Sequence, residues 1–227
     1  MKNTELGIVV KLEEETPELI ERRVHEMGFS TCQISVYDPK FYSEDVVATL
    51  KAQCNKYKVT IDGIWTGWPG VVAWNFTEGP ITVGLVPPSL RKEREEIIKR
   101  GADFASKLGV ERIITHLGFV PEDMHDENYV QLIPVLQDIA DYCEKLGLDF
   151  LFETGQETPI TLLRTIEAIG FDNVGINLDP ANLILYGKGN PVDSLYVFGK
   201  YVRGVHIKDG VYPTDGNSLG QEKPIGK

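Results

Sequence analysis

Seven short apolar runs, separated by six amphipathic stretches, constrain this chain more than any other feature. The runs are LGIVV (6–10), TCQISV (31–36), VTIDGIW (59–65), ERIITHLG (111–118), LDFLFET (148–154), VGINLD (174–179) and VRGVHIKD (202–209). Between them lie stretches with helical spacing. Thr16-Pro17-Glu18 opens one that runs to about Met27, with Thr as cap, Pro in the first turn and an acid at the positive end of the dipole. Others cover residues 43–57, with Ser43 as cap, and 89–107, 125–146, 159–169 and 191–200. Strand followed by helix, repeated, calls for parallel strands joined by right-handed crossovers. Runs as continuous as RIITHL and LDFLF suit strands covered on both faces.

The pattern predicts an α/β fold: a (β/α)8 TIM barrel occupying residues 1–227 as one domain. With 227 residues, the chain is slightly shorter than the usual length of about 250 for that fold. After Asp209 come 18 residues dense in Gly, Pro and polar side chains, and no eighth strand is read there. The expectation is a barrel that lacks its eighth βα unit in this chain and is incomplete at the C-terminus.

Residues 66–88 break the rhythm. They hold Gly67, Pro69, Gly70, Gly79, Pro80, Pro87 and Pro88, with Trp68, Trp74 and Phe76 among them. The segment is too long for a routine βα loop and too apolar for disorder. It reads as an ordered excursion over the strand ends, in the form of a short hairpin. The charge run on the helix that follows reads as a solvated face with i,i+4 pairs.

Composition narrows the function classes. Apolar residues make up 42% and charged residues 25%, a globular mix with enough apolar surface for a large core. The net charge of −11 argues against a nucleic-acid partner, because phosphate binding needs Lys and Arg to replace counterions. Cys32, Cys54 and Cys143 are odd in number and form no CxxC pair, so they read as small apolar residues in a reducing compartment. No apolar leader follows MKNTE, and no apolar stretch is long enough to span a membrane. The expected location is the cytoplasm, with no membrane partner.

Three residues carry the chemistry. Glu153 ends LDFLFE, Asp179 ends VGINLD, and His206 lies near the end of RGVHIKD, at separations of 26 and 27 residues. Each separation is about one βα unit, so the three occupy equivalent places on neighbouring strands, at the barrel face where catalytic residues gather. Alone, each acid could be a helix cap or loop ion pair, and the histidine a satisfied core residue. Matched spacing makes three separate accidents a poorer explanation. Two carboxylates and an imidazole suit Mn, Mg or Co, with Zn a further candidate.

Around them stand weaker candidates for substrate contact. His116 ends the fourth strand on the same face, or simply packs there. Lys208, two residues after His206, could neutralise an oxyanion or salt-bridge a barrel acid. Trp65 and Trp68 could wall a sugar ring or belong to the core. Glu157 could bond a hydroxyl or serve the helix start at Thr158-Pro159. His25 and His125 read as surface residues.

On LFETGQET (151–158), INLDPANL (176–183) and GVHIKDG (204–210), with support from ITHLGF (114–119) and WTGWPG (65–70), the chain resembles the xylose isomerase-like TIM-barrel superfamily. That group contains sugar isomerases and epimerases, tagatose 3-epimerase among them, and endonuclease IV. The resemblance implies that Glu153, Asp179 and His206 are metal ligands and that Glu153 is catalytic. It implies a sugar or polyol substrate and proton transfer through a metal-bound enediolate. It also implies a second glutamate at the end of an eighth strand, for which this chain has no counterpart. Family epimerases often carry a histidine three residues past the aspartate; here Asn182 stands there and could bond a substrate hydroxyl. Relatives are often dimers or tetramers, so a homo-oligomer is compatible.

Three other readings compete. An endonuclease IV-like nuclease needs more histidines than the four present and fits poorly with the acidic charge. A dehydratase or lyase on a polyol or keto-inositol would use the same metal site. A non-catalytic sugar-binding or interaction protein would retain the barrel without turnover.

Overall fold

The computed structural model describes residues 5–14 and 18–227. The expected cap at Thr16-Pro17 lies outside them. The helical stretch after it appears as a short π-helical segment, Glu21–His25, with Val24 turned inward.

Seven parallel strands form one curled sheet in sequence order. They are β1 Ile8–Lys11, β2 Thr31–Val36, β3 Thr60–Thr66, β4 Arg112–Thr115, β5 Asp149–Glu153, β6 Val174–Leu178 and β7 Val202–Val205. Helices α1 Glu44–Tyr57, α2 Gly79–Thr82, α3 Pro88–Leu108, α4 Glu127–Lys145, α5 Pro159–Ile169, α6 Pro180–Leu185 and α7 Pro191–Phe198 complete the βα units. The sheet has the curl of a (β/α)8 barrel, and the described residues hold no eighth parallel strand. None of their helices is long and apolar enough to cross a membrane.

Local chemistry explains the helix starts. Ser43 Oγ accepts from Val46 N at 3.3 Å, and Thr158 Oγ1 accepts from Thr161 N at 3.2 Å ahead of Pro159. Both use the cap to satisfy an orphan N–H of the first turn. Gly109 and Gly170 end α3 and α5 in the left-handed region that glycine tolerates.

Alternation within the strands divides the core in two. Ile64, Ile113, Phe150 and Phe152 face the helices and join one large cluster; burying each such side chain contributes about 1.5–3 kcal/mol. Trp65, Ile114 and Leu151, on the opposite face of β3, β4 and β5, form a small inner cluster with Tyr37 beside it. β5 and β6 are buried almost throughout, whereas Val9 of β1 and Val205 of β7 are half exposed.

Three expectations are corrected and one helix is added. Residues 66–88 contain no hairpin. Asn75 Oδ1 accepts from the N–H groups of Thr77, Glu78 and Gly79, which starts the one-turn helix α2 instead. The charges of α3 are not all solvated. Lys99 and Glu95 make the expected i,i+4 pair at 2.8 Å, but Arg91 and Arg94 are buried. They donate to the carbonyls of Leu85 and Val86, and of Thr82 and Gly84, so they pin the excursion to the helix. Helix α6, which the sequence reading did not assign, follows β6 directly, with Asp179 as its cap and Pro180 in its first turn. Finally, β7 stops at Val205. His206 lies just past it, and Asp209–Val211 pairs antiparallel with Gln221–Lys223 as β8 and β9.

Candidate metal centre at the strand ends

Glu153 is the last residue of β5, Asp179 follows β6 directly, and His206 follows β7. One ligand atom from each lies within 4.8 Å of the others. Backbone pairing produces this convergence. Glu153 is in register with Asn177 on β6, Leu178 pairs with Val205, and His206 N donates to Leu178 O at 2.8 Å. Thr154 locks the first two strand ends together: its hydroxyl donates to Asp179 O at 2.9 Å and accepts from Asp179 N at 2.8 Å.

The two oxygens of Asp179 have separate tasks. Oδ1 caps α6 by accepting from Asn182 N at 2.9 Å. Oδ2 faces His206 Nδ1 at 3.7 Å and Lys208 Nζ at 3.5 Å. Helix cap and candidate ligand are therefore the same carboxylate.

Both oxygens of Glu153 are also engaged. Trp65 Nε1 donates to Oε2, and Asn182 Nδ2 donates to Oε1 at 3.2 Å. His206 Nδ1 lies 3.5 Å and His116 Nε2 3.7 Å from that same Oε1. Burial alone would raise the Glu153 carboxyl. Neighbouring histidine charge and the Trp65 N–H outweigh burial and bring it to about 2. Burial lowers His116, so its ring adds charge only when acid protonates it, and His206 and Trp65 remain the effective partners at neutral pH. His206 behaves oppositely. Burial works against its charge, but the facing carboxylates of Asp179 and Glu153 lift it to about 9. The donor set of two carboxylates and an imidazole nitrogen that gives up its proton to a cation, converging within 4.8 Å, fits a hard or borderline divalent cation.

The other candidates fall into groups. Trp65 bonds Glu153 and stacks near Trp68, Tyr37 and His116 at centroid distances of 6.1, 5.2 and 5.4 Å. Trp68 is fully buried, with the Arg94 guanidinium 4.6 Å above its ring. Trp74, from the excursion, meets His116 edge-on at 5.1 Å. Asn182 and Lys208 hold each other: Lys208 Nζ donates to Asn182 Oδ1 at 2.8 Å, so the amide nitrogen is left for Glu153. Glu157 is 2% exposed, and neither of its oxygens meets a hydrogen-bond partner at ordinary geometry. Burial pushes it up to about 8; the backbone around Gly155 and Gln156 and the charge of Lys188 offset this only in part. His25 stacks on Tyr57, and His125 is exposed at the entry to α4.

Sequence reasoning missed Gln33, which faces His206 Nε2 at 2.9 Å, and Thr154. The signal for Gln33 was a long polar side chain in the apolar strand TCQISV.

Comparison with known proteins bears on the family and the fold. Among the curated proteins, none matches the chain. A xylose isomerase domain protein from Planctomyces limnophilus is 32% identical, with a TM-score of 0.88; the match covers 98% of this chain and 81% of that one. D-allulose 3-epimerase from Methylomonas sp., in complex with D-allulose, is 16% identical with a TM-score of 0.66, covering 89% and 72%. A xylose isomerase-like TIM barrel protein from Mycobacterium smegmatis, in complex with magnesium, is 17% identical with a TM-score of 0.65, covering 90% and 71%. The latter two likenesses show the fold alone. The model of the xylose isomerase-like TIM barrel family matches residues 22–227, and the chain belongs to that family.

Proposed function

We propose that this chain is a divalent-metal-dependent sugar isomerase or epimerase, with Glu153, Asp179 and His206 as the metal ligands. The convergence of their three ligand atoms within 4.8 Å carries the reading. Mn, Mg and Co suit the donor set, and the relatives with bound magnesium and D-allulose lend support.

A divalent cation bound there would polarise a sugar carbonyl and acidify the C–H beside it. Glu153 takes that proton. With Trp65 and Asn182 each holding one of its oxygens, the carboxylate is fixed and cannot rotate away from the substrate. Return of the proton by Glu153 to the neighbouring carbon, with the hydroxyl proton passing between the two oxygens, yields the isomer; protonation of the same carbon on the opposite face by a second acid or by water, Glu153 keeping the proton it took, yields the epimer. His116, between Trp65 and Trp74, presents a neutral ring to a substrate hydroxyl, and the tryptophans exclude water. Glu157, neutral at pH 7, offers a further hydrogen bond.

A panel of ketoses and inosose-type compounds, run in D2O with Mn, Mg or Co, tests this. Epimer or isomer carrying solvent deuterium at the exchanged carbon supports the proposal. Dehydrated product would replace it with a dehydratase. No turnover on any compound would sink both enzyme readings.

A further inference from the structure

Gln33 lies in the middle of β2, and none of the roles above uses it. Its Oε1 is 2.9 Å from His206 Nε2, across 173 residues of sequence. Its amide nitrogen faces Asn177 Oδ1 at 3.5 Å. Asn177 is fully buried on β6, and Gly204 of β7 leaves room for it: a Cβ at Gly204 would lie 2.4 Å from Asn177 Oδ1. In this arrangement the Gln33 oxygen is turned to His206 and its amide nitrogen to Asn177.

An imidazole that meets an accepting oxygen at Nε2 carries its N–H there. The lone pair of the neutral ring is then at Nδ1. Nδ1 is the atom that faces Glu153 Oε1 at 3.5 Å and Asp179 Oδ2 at 3.7 Å. We propose that Gln33 is a positioning residue: it fixes the tautomer and ring rotation of His206 so that Nδ1 is presented to a cation shared with Glu153 and Asp179. The inference rests on the metal-site reading above. The bland alternative, that Gln33 merely satisfies a half-buried histidine, makes a different forecast, because it gives Gln33 a share in stability and none in cation binding.

Two measurements decide between them. The first is calorimetric titration of the full chain with Mn2+, for the wild type, Gln33→Leu and Gln33→Glu. Gln33→Leu should bind Mn2+ about 10- to 100-fold more weakly, as loss of a partner behind a metal-bound histidine does. Gln33→Glu, which keeps an accepting oxygen, should stay within a few-fold of the wild type. The second needs no variant: histidine 15N–1H correlation spectra of the Zn2+-loaded wild type should place the proton of His206 on Nε2. If the wild type binds no Mn2+, the metal-site reading falls and this inference with it. If the wild type binds and Gln33→Leu binds equally well, or Gln33→Glu is as weak as Gln33→Leu, only the positioning role falls. A proton on Nδ1 in the loaded wild type overturns it even if a variant fails to fold.

Discussion

The two halves of the barrel contribute differently to the site. β5, β6 and β7 end in groups that carry charge: Glu153, Asp179 and His206, with Lys208 behind them. β2, β3 and β4 contribute Gln33, Trp65 and His116, whose polar atoms face that cluster without bringing a fixed charge. Burying more charge would add desolvation cost, whereas a neutral donor or acceptor fixes a ligand at little cost. The contrast separates two functions in one face: one half supplies the electrostatics, and the other fixes the geometry.

The comparison breaks first if the charged half is dispensable. Glu153→Gln keeps the shape of the side chain and removes its charge. On the sugar that the chain accepts, kcat/KM should fall by about 10²- to 10⁴-fold, with the circular dichroism spectrum unchanged. Activity within tenfold of the wild type would take Glu153 out of the proton transfer.

Glu157 is the acid in the charged half that no group from the neutral half supports, so it should lower stability. Its folded carboxyl is held near 8, against an ordinary value of 4.5. Below about pH 4.5 it is protonated whether folded or unfolded, and it has no effect. As pH rises to 8, the unfolded chain gives up this proton and the folded chain keeps it. Stability is then lost at up to about 1.4 kcal/mol per pH unit. Glu157→Gln removes the loss. In urea denaturation its advantage over the wild type should widen from pH 5 to pH 8 and then level off. Parallel curves would show that the carboxyl is not held up by burial.

The same division decides what was legible in the sequence. The strand–helix alternation and the trio at 26- and 27-residue spacing are readable because the chain repeats, and a repeat puts like positions on like strand ends. Gln33 and Trp65 act across the barrel, 173 and 88 residues from the groups they hold, and no period links them. Arg91 and Arg94 misled for a related reason. On a helix wheel they belong to a charged run, and their partners come from elsewhere: the carbonyls of Thr82, Gly84, Leu85 and Val86, folded back over α3, the Asn128 side chain and the Trp68 ring. His206 was read as part of β7. The strand ends at Val205, four residues short of Asp209; Asp209–Val211 pairs instead with Gln221–Lys223, and that hairpin packs against α6, a contact that local propensity does not encode.

The neutral half is tested by Trp65→Phe, which keeps the ring and deletes the N–H that reaches Glu153 Oε2. A hydrogen bond to a charged group contributes about 1.5–3 kcal/mol, so kcat/KM should fall by about 10- to 100-fold. A change under twofold would reduce Trp65 to packing.

Lys208→Met should give the smallest effect and sharpen the contrast most. Three oxygens surround the Lys208 ammonium: Asn182 Oδ1 at 2.8 Å, Asp179 Oδ2 at 3.5 Å and Glu222 Oε2 at 3.5 Å. Of these only Asn182 Oδ1 accepts a hydrogen bond, and the two carboxylates are ion-pair neighbours. Held that way, Lys208 orients the Asn182 amide toward Glu153, and its charge is balanced by Asp179 and Glu222. Its loss should cost a few-fold in kcat/KM, because Asn182 can still find Glu153 after a turn of its amide. A group that stabilises the developing oxyanion would cost about 10²- to 10³-fold in kcat. Steady-state kinetics of Lys208→Met separates the two by size. A loss in kcat of the larger size, with KM unchanged, would give Lys208 the oxyanion and make it a catalytic member of the charged half. A few-fold loss would leave it orienting Asn182, as Gln33 and Trp65 orient the ligands from the other side.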